Sequence, residues 1–219
     1  LQFIHNLLVY LKPKPHATML DIACGKGRHS KALFDAGYDV VGIDLSPASI
    51  ESASSMQTVG LSFSCHDMRE TFRQNHFDYA FNFFTSFGYF NTQRENDNAI
   101  RTIAQSLKKS GYLVLDYLNV HYAEDNLIHK SEKQIDDVNF LITKWYDDDF
   151  FYKKIIVEDE NLHEPLIYTE KVAKFSLGDF TEMFAYQGLQ IQEVFGSYSF
   201  DTYDIKKSPR LIMIAKKIR

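Results

Sequence analysis

Apolar residues recur at helical spacing at the start of the chain, as Phe3, Ile4, Leu7, Leu8 and Leu11, until Lys12-Pro13-Lys14-Pro15 ends the helix. From there the pattern becomes short apolar runs separated by amphipathic stretches. Met19 to Ile22, Asp39 to Asp44, Leu61 to His66, Phe77 to Phe84 and Tyr112 to Tyr117 have the length and content of strands. One helix leads from the turn after the first run to Gly37. A second opens at Ser46-Pro47, an N-cap followed by proline in the first turn, and runs to about Val59. A third opens on the capping box Thr92-Gln93-Arg94-Glu95, runs to about Lys108 and is broken by Ser110-Gly111. Strands alternating with helices build a parallel sheet covered on both faces, so the fold class is α/β and doubly wound.

The alternation stops between His121 and Phe175. Val138 to Tyr146, Phe150 to Glu158 and Leu166 to Phe175 are β-rich runs parted by Asp147-Asp148-Asp149 and Asp159-Glu160-Asn161, which makes them an antiparallel meander. The triple aspartate has the composition of a metal cluster, but three acids at a hairpin turn are explained by solvation, and no metal site is expected. A helix from Ser176 to Gln187, stopped at Gly188, and strands at Gln190 to Tyr198 and Arg210 to Lys216 close the chain. Residues 1–219 therefore form one domain, with 121–175 inserted as an antiparallel lid or subdomain.

Composition narrows the partners. A chain of 219 residues, 45% hydrophobic, buries one core and leaves no room for a second full domain. A net charge of −5 without a concentrated Lys/Arg tract argues against general affinity for nucleic-acid backbones. Cys24 and Cys65 lack metal or redox spacing and read as reduced thiols of a cytoplasmic protein. No apolar run approaches a membrane span, so the membrane is not an expected partner either.

The candidate chemistry is concentrated between Met19 and Ser46. A strand ends in Asp21-Ile22-Ala23-Cys24-Gly25-Lys26-Gly27-Arg28, a helix follows, and the next strand ends in Gly42-Ile43-Asp44-Leu45-Ser46. Gly25 and Gly27 let the backbone N–H groups come close to a ligand, and Asp44 stands where an acid accepts the two hydroxyls of a ribose. A dinucleotide fingerprint asks for a third glycine, where this chain has Ser30. The fuller pattern resembles motif I and its successor in class I S-adenosylmethionine (SAM)-dependent methyltransferases, with Ala23 where glycine is commonest.

That resemblance implies a seven-stranded Rossmann-like sheet of order 3-2-1-4-5-7-6 with strand 7 antiparallel. It implies SAM as cofactor, becoming S-adenosylhomocysteine, held by Asp21, Ala23, Cys24, Gly25, Gly27, Arg28, Asp44 and Leu45. Asp67 would accept the adenine amine with Met68 flanking the ring, and Asn82 and Phe83 would pass the methionine part. The block from Phe77 through Gly88 resembles small-molecule N- and O-methyltransferases, so the expected partner is a small-molecule substrate. Ser86, Phe87, Tyr117, Tyr203 and Arg210 are the candidate substrate contacts, Arg210 serving either a substrate carboxylate or a protein acid. Tyr89 is the candidate for orienting or deprotonating the nucleophile, with Asn119 assisting. Inserted sheets at this position in the resembling enzymes roof the active site or mediate dimerisation, so a homodimer through the insert is expected. Two other functions fit the cofactor motif: a SAM-binding module without turnover, and a protein or RNA methyltransferase, whose Asn-Pro-Pro-Tyr type of motif is absent after the fourth strand.

Overall fold

The computed structural model describes residues 2–159, 162 and 164–219. In chain order the first half runs α1 (Gln2–Leu11), β1 (Thr18–Ile22), α2 (Arg28–Asp35), β2 (Asp39–Asp44), α3 (Pro47–Ser54), β3 (Leu61–Cys65), β4 (Phe77–Asn82), α4 (Gln93–Ser106) and β5 (Leu107–Leu118). The second half runs α5 (Val120–Asp125), β6 (Lys130–Ile135), β7 (Val138–Tyr146), β8 (Phe150–Glu158), β9 (Leu166–Ala173), α6 (Leu177–Tyr186), β10 (Leu189–Phe195) and β11 (Arg210–Lys217). Seven strands form one sheet in the order β10-β11-β5-β4-β1-β2-β3. β11 is antiparallel to both its neighbours and the other pairings are parallel. This is the expected order 3-2-1-4-5-7-6.

The period of two in each strand divides the core between the two sheet faces. Leu20, Leu113, Leu115, Leu211 and Met213 pack with Ile100 and Ile103 of α4 and Phe180 and Phe184 of α6. Their neighbours Met19, Val114, Ile212 and Ile214 pack on the other face with Phe3, Ile4 and Leu7 of α1, Leu33 of α2 and Ile50 of α3. A strand buried on both faces needs apolar residues at every position, which is why these runs are continuous rather than alternating. β1 pairs with β2 on one side and β4 on the other. The chain thus reverses direction of winding at β1, and a crevice opens beyond the carboxyl ends of β1 and β4.

Several boundaries move. α3 stops at Ser54 rather than near Val59, because Thr58 bridges back to Leu61 across a tight turn at Gly60. α4 ends at Ser106, and Ser110-Gly111 is an irregularity within β5, not the break of a helix: Ser110 has φ +65 and the register with β4 shifts between Phe77 and Tyr79. Among the described residues the insert has four strands, not three, in the order β6-β7-β8-β9. β6, Lys-Ser-Glu-Lys-Gln-Ile, is exposed throughout. A polar edge strand carries no alternating signal, and its charges protect the edge from further pairing. The triple aspartate is the β7–β8 turn, where Asp147 Oδ1 accepts from the N–H groups of Asp149 (2.9 Å) and Phe150 (2.7 Å) and Oδ2 accepts from the Tyr152 hydroxyl (2.8 Å). The second turn expected at Asp159-Glu160-Asn161 lies partly outside the described residues. No helix among the described residues is long and apolar enough to cross a membrane.

Candidate active site

Two cavities line the crevice and share Ala23 and Ser86 as common walls. The first, about 390 Å³, is lined by Asp21, Ala23, Cys24, Gly25, Lys26, Arg28, His29, Phe83, Phe84 and Ser86. The second, about 190 Å³, is lined by Ala23, Ile43, Asp44, Leu45, His66, Asp67, Met68, Ser86, Tyr89 and Phe90. Together they fall within the roughly 300 to 1,000 Å³ typical of small-ligand pockets.

The turn after β1 shapes both. Ala23, Gly25 and Gly27 have φ of +59, +55 and +79. Three left-handed residues within five fold the chain sharply enough to aim backbone N–H groups into the crevice, and the non-glycine among them carries a strain on the order of 1 to 2 kcal/mol. A Cβ added at Gly25 would meet nothing within 4 Å, so this part of the turn borders open space. Asp44 braces the turn: its Oδ2 accepts the Gly25 N–H at 2.8 Å and its Oδ1 accepts the Ser46 N–H at 2.8 Å. An open backbone cradle, a carboxylate with lone pairs to spare at the end of β2 beside it, and an acid at Asp67 are the donors and acceptors an adenosine would need.

The family model described as a methyltransferase domain matches residues 13–188. The chain belongs to the methyltransferase-domain family. Its cofactor is SAM, and the cradle just described fits it. YqeM of Bacillus subtilis (strain 168) is 26% identical over 209 residues, covering 91% of this chain and 83% of that protein. A SAM-dependent methyltransferase from Clostridium acetobutylicum superposes with TM-score 0.83 at 18% identity, covering 98% of this chain and 89% of its own. The CcbJ methyltransferase of Streptomyces caelestis gives 0.83 at 16% identity, covering 100% and 90%. CalS10, an amino pentose methyltransferase from Micromonospora echinaspora solved with SAM bound, gives 0.73 at 19% identity, covering 98% and 88%.

Of the residues expected to hold the cofactor in this methyltransferase, all but Gly27 and Asn82 line the cavities. Gly27 caps α2, and a Cβ there would lie 2.7 Å from the Phe63 ring. Asn82 is fully buried below the turn, its Nδ2 donating to the Ile22 carbonyl at 3.2 Å and its Oδ1 without a partner. Burial raises the Asp21 carboxyl to about 7 against the opposing hydrogen bond from Ser30 Oγ (2.6 Å). Burial likewise pushes the Cys24 thiol up, so it stays neutral.

The substrate-side expectations fare differently. Ser86 and Tyr89 line the cavities. Phe87 is fully buried against Phe175 and Phe180, because the chain turns inward before Gly88. Tyr117 is also fully buried, its hydroxyl donating to the Ala173 carbonyl at 2.5 Å and packing where any Cβ on Gly88 would be. Gly88 O in turn accepts from Ala173 N at 2.8 Å, so the end of β9 is fastened to the loop carrying Tyr89. Asn119 is not free to assist a nucleophile: its Nδ2 donates to the carbonyls of Ile205 (2.9 Å) and Ser208 (2.8 Å), and its Oδ1 accepts from the Tyr203 hydroxyl at 3.3 Å. Asn119 and Tyr203 therefore hold the loop before β11. Arg210 takes the protein-acid alternative, donating from Nε (2.8 Å) and Nη2 (2.6 Å) to Asp116 Oδ1.

Asp116 as the partner was not anticipated, nor was what the pair holds. Phe84 and Thr85 both have φ +57, two consecutive left-handed residues at the end of β4. Asp116 Oδ2 accepts the Phe84 N–H at 2.8 Å and the Tyr198 hydroxyl at 3.1 Å, its backbone carbonyl accepts the Thr85 N–H, and Arg210 Nη2 reaches Thr85 Oγ1 at 2.9 Å. Burial pushes the Asp116 carboxyl up, with Arg210 acting against it. The turn so held puts the Phe84 ring on His29, centroids 4.8 Å apart and stacked. His29, the residue after Arg28, has no role among those expected from the sequence. Burial and Arg28 lower it to about 4, so a neutral imidazole and a phenyl ring line the first cavity.

Two outcomes follow from these buried groups. Asp21 keeps its proton to about pH 7 when folded but releases it near its ordinary value of 3.8 when unfolded. Between those values the folded state binds more protons, so this contribution to stability falls as pH rises and is flat above about 7. In urea titrations, Asp21→Asn should therefore gain roughly 2 to 4 kcal/mol relative to wild type between pH 4.5 and 7.5; a pH-independent difference would refute the assignment. Arg210→Met leaves the Asp116 charge buried and unpaired and should cost about 3 to 5 kcal/mol, partly recovered by adding Asp116→Asn. A loss below about 1 kcal/mol would show that the pair holds nothing.

Proposed function

We propose that this methyltransferase moves a methyl group from SAM to a nitrogen or oxygen nucleophile of a small molecule, working at the junction of the two cavities beside Ala23 and Ser86. The observation that carries this reading is the shared wall: the two cavities meet at Ala23 and Ser86, two small side chains. Asp44 and Leu45 would hold the ribose, Asp67 and Met68 the adenine, and Asp21, Ala23, Cys24, Gly25, Arg28 and Phe83 the methionine part. The bound cofactor supplies a methyl group already activated on a sulfonium, so the chain has to align the acceptor's lone pair and keep water out.

Tyr89, which lines the second cavity, would orient the acceptor. Burial and the charge of Glu170 raise its phenol above the ordinary value, so it stays protonated at neutral pH and acts as a hydrogen-bond donor and acceptor rather than as a ready base. An amine acceptor must arrive neutral, since an ammonium has no lone pair. The names of CalS10, an amino pentose methyltransferase, and KedS8, a sugar N-methyltransferase, make amino sugars the first acceptors to screen.

The insert supports a homodimer. Its cross-strand pairs place Phe140, Val157 and Leu166, and Ile142, Ile155 and Tyr168, in two rows on one face. Leu166 is 44% and Tyr168 53% exposed. Such an apolar face suits an isologous contact with a second copy. Sedimentation should give a dimer that Ile155→Lys dissociates; a wild-type monomer at micromolar concentration would end this part of the proposal.

Calorimetric titration tests the activity's first requirement. Asp44→Ala should weaken SAM and S-adenosylhomocysteine by about 1 to 3 kcal/mol, after which an amine and hydroxyl screen should yield a methylated product. Tight binding with no product across the screen would favour a module that holds SAM without turnover. Undiminished binding by the variant would remove Asp44 from the site.

A further inference from the structure

Arg69 lies two residues past Asp67 and spends all three of its guanidinium nitrogens on two carboxylates, Asp67 in the wall of the second cavity and Glu95 of α4. Nε lies 3.1 Å from both Asp67 oxygens, Nη2 donates to Oδ2 at 2.6 Å, and the Arg69 backbone N–H donates to Oδ1 at 2.9 Å. Nη1 donates to Glu95 Oε1 at 2.6 Å. The other oxygen of Glu95 closes the capping box of α4, accepting from the Thr92 N–H at 3.1 Å and the Thr92 hydroxyl at 3.0 Å. The guanidinium carbon also sits 4.8 Å from the centroid of Phe90, which lines the same cavity as Asp67. One cation thus joins the end of β3, the first turn of α4 and an aromatic wall.

The acceptor arithmetic at Asp67 is informative. A carboxylate offers about four lone-pair sites. Three N–H groups already use them, with the Nε hydrogen shared between the two oxygens. About one site is left, enough for one N–H of an exocyclic amine. A purine with a carbonyl at that position would present an acceptor to a carboxylate that has no proton to give.

We infer that Arg69 is a positioning residue for base recognition, holding Asp67 so that its remaining lone pair selects an adenine amine over a purine carbonyl. This rests on the placement of adenine at Asp67 given above. Hydrogen bonds from Arg69 also hold the Asp67 carboxyl below its ordinary range, which keeps it an acceptor into mildly acidic solution. Arg69 does not itself touch the reacting atoms. Its contribution lies in discrimination rather than in the chemical step.

The test compares the affinity of S-adenosylhomocysteine with that of its inosine analogue, by calorimetry, for wild type, Asp67→Asn, Arg69→Met and Arg69→Lys. Wild type should prefer the adenosine form, and Arg69→Met should shrink that preference about tenfold or more, the usual effect of a hydrogen bond to a charged group. A purely structural loss would weaken both ligands alike and leave the ratio unchanged, which would overturn the inference. Arg69→Lys keeps the charge without the planar fork and should lose a smaller part of the ratio. If Arg69→Met does not fold, an undiminished ratio in Arg69→Lys overturns the inference by itself. If Asp67→Asn leaves the ratio untouched, the placement of adenine has failed; if it collapses the ratio and the Arg69 variants do not, only the inference has failed.

Discussion

Asp116 carries a carboxylate to a position with no exposed side-chain surface, and so it has to be met by donors from several directions at once. Arg210 comes from β11, Tyr198 from the loop before it, and Phe84 from the end of β4. Because each donor is fixed by the one acceptor, the adjoining β5 and β11 strands and the β4 turn cannot move independently. The strained residues Phe84 and Thr85 are stable only in that setting. Their turn in turn fixes Ser86, the wall shared by both cavities. Disturbing the ion pair would thus reach both cavities although neither Asp116 nor Arg210 lines them.

The crevice is also held from the opposite side. Tyr117 passes its hydroxyl beneath Gly88 to the Ala173 carbonyl, and Gly88 returns a carbonyl to the Ala173 N–H. The loop bearing Tyr89 is therefore tied both to β5 and to the inserted sheet. Side chains of Phe87, Tyr117, Phe175 and Phe180 fill the space behind it with edge-on and tilted rings. An insert attached in this way presents Tyr89 from a rigid base, although Tyr89 itself is 48% exposed.

What could be read from the residues divides along physical lines. The parallel sheet and its order were legible because strands buried on both faces are continuous apolar runs, and the first turn was legible because a ligand-cradling backbone needs residues that tolerate positive φ. The position of Ala23, noted only as a departure from glycine, is a left-handed residue in the structure, which explains why glycine is commoner there. Polar side chains near strand ends were the weak point. Asn119, Tyr203 and Arg210 look like site residues because they fall at the carboxyl edge of the sheet, yet each is used up by an internal partner 84 to 94 residues away in sequence. Such pairing depends on the exact approach of distant strands, and no local pattern encodes it. Lys130 to Ile135 escaped for the opposite reason: an exposed edge strand needs no apolar signal.

The protonation states of three groups lining the two cavities bear on how the proposed methyl transfer would proceed. His29 is kept neutral, Tyr89 keeps its proton, and Cys24 keeps its own, in each case chiefly because burial disfavours the charged form. For Cys24 and Tyr89, the same burial that removes them as bases also prevents them from competing as nucleophiles for the activated methyl group, since a thiolate or a phenolate beside a sulfonium would be the better acceptor. On the proposed reading, a junction walled by Ala23 and Ser86 favours an acceptor that brings its own lone pair and needs only alignment. Orientation is then the effect on which catalysis has to draw, and rigidity of the β4 turn and of the Gly88 loop is what supplies it.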